Sequence, residues 1–162
     1  MGAPASVEIR AATAGDWQAV CGIHAASVRA LGASRYSPEQ IDSWSQGPDR
    51  ERYVASLDDG EVYLVERAGV PCGYGRVVPA VGEIEAVYVH PDHAGTGLGT
   101  TILVFLEERA RVAGAGRARL RASLNAEGFY ARAGWRAIER GTHATRGGVE
   151  LACVWMEKPL EA

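Results

Sequence analysis

Three glycines spaced by single residues, Gly95, Gly97 and Gly99, separate a β-branched run from a helical one in EIEAVYVHPDHAGTGLGTT, residues 83–101. Val87 and Val89 extend the alternation of a strand, and Pro91 ends it. From Gly99 onward Ile102, Leu103, Leu106, Ala110 and Ala113 recur at helical spacing, so the glycines lie where a strand feeds a helix N-terminus. Unpaired backbone N–H groups and the positive end of the helix dipole attract phosphate there, and glycines let its oxygens approach the main chain. The stretch therefore predicts an anion site. It is neither the dinucleotide fingerprint G-x-G-x-x-G nor a P-loop, which needs Lys and then Ser or Thr after its last glycine.

The spacing resembles motif A of the GCN5-related N-acetyltransferase superfamily, Q/R-x-x-G-x-G/A, whose loop cradles the pyrophosphate of acetyl-coenzyme A. Gly97 and Gly99 fall on the motif glycines, while Ala94 stands at the Q/R position. Downstream, SLNAEGFYARAGW resembles the superfamily's second signature. In that signature an Asn at the end of the fifth strand contacts the pantetheine arm, and a Tyr one or two turns on faces the thioester sulfur. Asn125 and Tyr130 match those positions. The two motifs stand in the family's order, separated by a helix and a strand, and the likeness extends from the first strand to the last.

That resemblance implies an α+β fold with a mixed, mostly antiparallel sheet of about seven strands flanked by helices. Its fourth and fifth strands would splay apart around the coenzyme. The backbone of Val87, Tyr88 and Val89 would hold the pantetheine, and Gly95, Thr96, Gly97, Leu98, Gly99 and Thr100 would receive the pyrophosphate. The implied cosubstrate is acetyl-CoA, with no metal.

At 162 residues and 47% hydrophobic, residues 1–162 are sized for one domain with a core of its own. A formal charge of −3 gives no basic field to draw in nucleic acid. No run approaches the ~20 apolar residues that span a bilayer. The opening MGAPASVEIR lacks the charged start and apolar core of a signal peptide, so a cytoplasmic location is expected. Cys21, Cys72 and Cys153 have no close partners in sequence and read as reduced thiols rather than a disulfide frame or zinc site.

Along the chain, residues 7–11 read as a strand, and Thr13 with Asp16 as a capping pair opening a helix. Trp17, Val20, Cys21, His24 and Val28 share a face of that helix, with His24 read as a hydrogen-bonded core residue. In YSPEQIDSW, Ser37 is an N-cap, Pro38 the first helical position and Gln40 the partner in a capping box. Residues 49–57 make one more helix. A two-residue period then marks strands at 61–67 and 72–78. In residues 117–122 Arg117, Arg119 and Arg121 alternate with Ala and Leu and are expected in solvent. Strands at 135–143 and 149–158 close the chain. In the resembling superfamily the first helices overhang the acceptor pocket, so Tyr36 or Trp44 is expected either to line it or simply to pack the helices onto the sheet.

An amine attacking a thioester needs its lone pair, so something must remove its proton. Glu83 and Glu85 are the best-placed carboxylates, and a period of two sets both on the face of Val87. Glu85, nearer the implied thioester, is the candidate base, directly or through water, and Tyr130 the candidate acid for the departing thiolate. The expected acceptor is a primary amine of a small molecule or peptide, and a homodimer is compatible with the sequence. Two alternatives stay open: a non-catalytic acyl-CoA sensor, and a phosphate- or nucleotide-binding module using the same loop.

Overall fold

The computed structural model describes residues 6–161. Seven strands form one sheet: β1 (Val7–Ala11), β2 (Glu61–Arg67), β3 (Val70–Val78), β4 (Glu83–Val89), β5 (Arg117–Ser123), β6 (Arg136–Ala144) and β7 (Glu150–Pro159). Their spatial order is β1-β2-β3-β4-β5-β7-β6. All neighbours are antiparallel except β4 and β5. The expected α+β sheet is what forms.

Helices cover both faces. On one, α4 (Leu98–Val112) buries Leu98, Ile102, Leu103, Leu106 and Ala110 against Val77, Ile84, Leu120, Val154 and Met156. The helical spacing of those residues is the reason they share a face. The helix sits flush because β3 offers glycine beneath it: a Cβ on Gly75 would lie 2.7 Å from Leu106 Cδ1 and 2.8 Å from Ile102 Cγ2. On this side too lies α5 (Glu127–Arg132), through Phe129 and Tyr130. The opposite face carries α1 (Trp17–Leu31), α2 (Pro38–Trp44) and α3 (Arg50–Ser56). Val20, Ile23 and Tyr53 pack there on Val62, Leu64 and Tyr74, and Val28 and Ile41 pack with Leu151.

Local chemistry sets the ends of these helices. Ser37 Oγ accepts from the Gln40 N–H at 3.2 Å while Gln40 Oε1 accepts from the Ser37 N–H at 2.8 Å, the expected capping box. Thr13 and Asp16 form theirs around a single 3₁₀ turn, Ala14–Asp16, that leads into α1.

Strand β4 departs from the expected alternation. Arg76 pairs with Ala86 but Val77 pairs with Ile84, which leaves Glu85 as an extra residue, a β-bulge. The bulge changes which residues share a face. Ile84, Val87 and Val89 turn to the α4 side, while Ala86 and Tyr88 turn to α1. The single face expected for Glu83, Glu85 and Val87 is therefore broken, and Glu85 is drawn to an ion pair with Arg76.

Candidate active site

Strands β4 and β5 pair only at Glu83 with Arg119 and Ile84 with Leu120. Beyond that they part. β3 still satisfies one edge of β4 as far as Val89, and β7 satisfies one edge of β5 as far as Ser123, so the edges facing each other are left open. A cleft of about 970 Å³ runs through this gap, from the glycine loop on the α4 side to the end of α1 on the other.

At the loop end, Gly95 and Gly97 have φ of 74° and 83°, the left-handed region that glycine alone enters without strain. Gly97 is the N-cap of α4, and the Thr101 hydroxyl ties back to its carbonyl at 3.1 Å. Thr96 donates to the His93 carbonyl at 2.6 Å. Gly95, Gly97, Leu98, Gly99 and Thr100 all border the cleft, so α4's first N–H groups and the positive end of its dipole are available there. Leu98 contributes only main chain, since its side chain is buried in the core.

The motif position held by Ala94 lacks a polar side chain, and a cation arrives from elsewhere. Arg67, at the end of β2, brings Nη1 to 3.3 Å from His93 Nδ1 and donates from Nη2 to Thr96 Oγ1 at 3.4 Å. Arg132 borders the cleft from α5. Nothing in the sequence marks either one, because each belongs to an element distant along the chain from the loop.

Asn125, two residues past the end of β5, borders the cleft, and its Oδ1 is buried without a hydrogen-bond partner among the described residues. An orphaned buried acceptor costs about 1–3 kcal/mol, which a ligand N–H in the gap would recover. Val87 and Val89 pack their side chains under α4, so what they offer the cleft is backbone. Tyr88 stacks on Tyr74 at 5.3 Å and meets His24 edge-on at 4.7 Å. His24 in turn is held by the Trp44 carbonyl at 2.7 Å and the Tyr74 hydroxyl at 3.3 Å, the core role its helical face suggested.

Tyr130 is buried at the cleft wall, its ring 5.1 Å from Phe129 and 6.1 Å from Trp135. Burial pushes its phenol above the ordinary 10, and proximity to Tyr88 adds to this. The hydroxyl is thus held protonated, able to donate. Glu85 borders the same cleft and engages Arg76 through Oε2, leaving Oε1 as an acceptor. Arg76 is itself anchored by Asp59 and by the Ser56 carbonyl at 3.2 Å.

Of the two aromatics expected near the acceptor, Trp44 borders the cleft. Tyr36 is not among the residues that border it. Its hydroxyl donates to the Ala152 carbonyl at 2.7 Å and accepts from the Leu124 N–H at 2.9 Å, fastening the segment before α2 to the ends of β5 and β7. Arg121 is exposed, as expected, and there lies over the Trp155 ring at 5.6 Å and borders the cleft together with Arg35 and His143. Among the described residues no cluster of three or more His, Cys, Asp or Glu is arranged to hold a metal ion, and no helix is long and apolar enough to cross a membrane.

Comparison with known proteins gives four similarities. The model of the acetyltransferase (GNAT) domain matches residues 32–158. A crystal structure of a GCN5-related N-acetyltransferase from Rhodopseudomonas palustris superposes with a TM-score of 0.90 at 31% identity, covering 99% of each chain. The PaiA N-acetyltransferase of Thermoplasma acidophilum, crystallised in complex with coenzyme A, superposes with a TM-score of 0.77 at 22% identity over 95% of this chain and 99% of that one. Among curated sequences, the uncharacterized N-acetyltransferase YafP of Escherichia coli (strain K12) is 24% identical over 142 residues, 88% of this chain and 89% of its own.

Proposed function

Since the chain belongs to the GCN5-related acetyltransferase (GNAT) family, we propose that it moves an acetyl group from acetyl-coenzyme A to a primary amine of a small molecule or peptide. The observation that carries this reading is the gap between β4 and β5, with a glycine-capped helix N-terminus at one end and the unpartnered Asn125 Oδ1 on its border. A long, thin ligand with a polyanionic head and an amide-bearing arm fits that sequence of groups. The coenzyme A held by the PaiA relative supports the same choice.

In this reading the backbone of residues 87–89 pairs with the pantetheine along the edge that β5 leaves open, and Asn125 accepts from one of its amides. Residues 95–100 receive the pyrophosphate, with Arg67 supplying the charge that Ala94 lacks and Arg132 adding more. The thioester provides an activated acyl carbon. Glu85 takes the amine proton, directly or through one water, using Oε1. The nitrogen–carbon bond forms, the carbon–sulfur bond breaks, and Tyr130 passes its proton to the sulfur. Products are an N-acetylated amine and a free thiol.

Calorimetric titration with acetyl-CoA, in competition with ATP, tests the ligand. One site for acetyl-CoA that ATP does not displace is expected, and equal competition by ATP would favour a nucleotide-binding module. Thiol release across a panel of amines then tests turnover.

A further inference from the structure

We infer that the acceptor is an amine that also carries an anionic group, a carboxylate or a phosphate monoester, held by Arg121, Arg35 and His143 at the α1 end of the cleft. The inference rests on the acetyl-transfer reading and adds to it the class of acceptor.

Sheet register sets the two strand residues on one side of the sheet. Arg121 stands opposite Trp155, and along β7 the same side of the sheet carries Cys153 and then Leu151, opposite which His143 stands on β6. Leu151 packs with α1 and α2, which places this face toward the end of α1, where Arg35 follows. All three side chains border the cleft.

Charge is unbalanced there. Arg117 of β5 and Arg136 and Arg140 of β6 are each taken up by a glutamate, whereas Arg121 and Arg35 have no carboxylate partner among the described residues. Glu85 is the one carboxylate bordering the cleft among the described residues, and Arg76 already engages it. A polycationic amine would therefore meet two free guanidinium groups and no carboxylate beyond Glu85, which is shared with Arg76. Each guanidinium is a fork of the shape that binds a carboxylate or phosphate bidentately.

The site is also prepared. Arg121 Cζ lies over the Trp155 ring, 5.6 Å from its centroid, a cation–π contact that uses none of the guanidinium's N–H donors. His143 Nδ1 is buried with no hydrogen-bond partner among the described residues. Burial, and then the charge of Arg121, hold that imidazole below its ordinary 6.5, so it is neutral at pH 7 with one ring nitrogen able to donate. Leu31 and Trp44 give the remaining wall an apolar surface for the body of the acceptor.

The test uses matched acceptors on the full-length protein: amino acids against their carboxamides, O-phosphoethanolamine against ethanolamine, and spermidine, each by thiol release and by mass of the product. The anionic member of at least one series is expected to lead its neutral partner on the order of 10–100-fold in kcat/KM, mostly through KM. The two series separate carboxylate from phosphate. In Arg121→Gln that ratio should fall towards one, with Arg121→Lys intermediate, while acetyl-CoA titration shows that both variants are folded. A lead for the neutral partners or for spermidine overturns the inference, as does a ratio that survives Arg121→Gln. Acetyl-CoA binding with no member of any pair acetylated overturns it too and leaves the coenzyme assignment standing, whereas no binding of acetyl-CoA removes both.

Discussion

Arg76 on β3 and Glu85 on β4 form an ion pair across a bulge, at the point where β4 begins to part from β5. The extra residue lets Glu85 border the cleft while its Oε2 stays on Arg76, so the carboxylate is fixed in direction before any substrate arrives. Replacing Glu85 with Gln keeps the shape and removes proton acceptance. Turnover should fall on the order of 10²–10⁴ with acetyl-CoA affinity retained. Glu83→Gln should be close to wild type, and the reverse pattern would identify Glu83 as the base.

Tyr130→Phe deletes only the hydroxyl of a ring packed against Phe129 and Trp135. Turnover should drop by roughly 10–10³, towards the low end for acid catalysis because a thiolate is a fair leaving group, while coenzyme binding survives. Equal loss of binding and turnover would assign Tyr130 to packing instead.

Gly97→Ala introduces a Cβ at φ 83° that meets no protein atom within 4 Å, at the N-cap of α4 on the border of the cleft. The backbone strain is about 1–2 kcal/mol. Gly148→Ala is the control, with φ 84° in equally open space at the β6–β7 turn. Both variants should lose similar thermal stability, and Gly97→Ala alone should bind acetyl-CoA about tenfold or more weakly by calorimetry.

Glu107 is buried on α4, where it accepts from Trp135 Nε1 at 2.9 Å and from Lys158 Nζ at 3.1 Å. Lys158→Met would strand that carboxylate. The expected loss is about 2–3 kcal/mol in urea unfolding, at or below the range for breaking a buried pair because Lys158 is partly wetted. The double variant with Glu107→Leu should recover most of it.

His24 gives the fold a pH dependence. Burial lowers its pKa below the ordinary 6.5, and the Trp44 carbonyl only partly opposes this. Below that value the unfolded chain takes up a proton that the folded protein refuses, so this contribution to stability is full above pH 6.5 and declines as pH falls until the folded imidazole titrates. Thermal melts of His24→Gln between pH 7.5 and 5 should show a shallower decline than wild type, and an identical slope would exclude His24 as its source.

The glycine loop, the capping box at Ser37 and the buried stripe of α4 were legible because local backbone demands and periodicity decide them. The bulge at Glu85 was not, since it is set by how β4 fits β3 and a two-residue period continues straight through it. Alternation likewise put Arg121 on the uncovered side of β5 but did not show that it borders the cleft with Arg35 and His143. Tyr36 illustrates the same limit. Its hydroxyl partners, Ala152 and Leu124, lie far along the chain, and nothing near an aromatic in sequence distinguishes a fastener from a pocket wall.

The most direct test of acetyl transfer is a mass-spectrometric count of acetyl groups appearing on an amine, against thiol released from acetyl-CoA in the same reaction. Equal amounts of both are expected, dependent on the amine and strongly reduced in Glu85→Gln. Acetyl-CoA bound one-to-one with no amine acetylated and no thiol released would contradict the account and make the protein a binding domain.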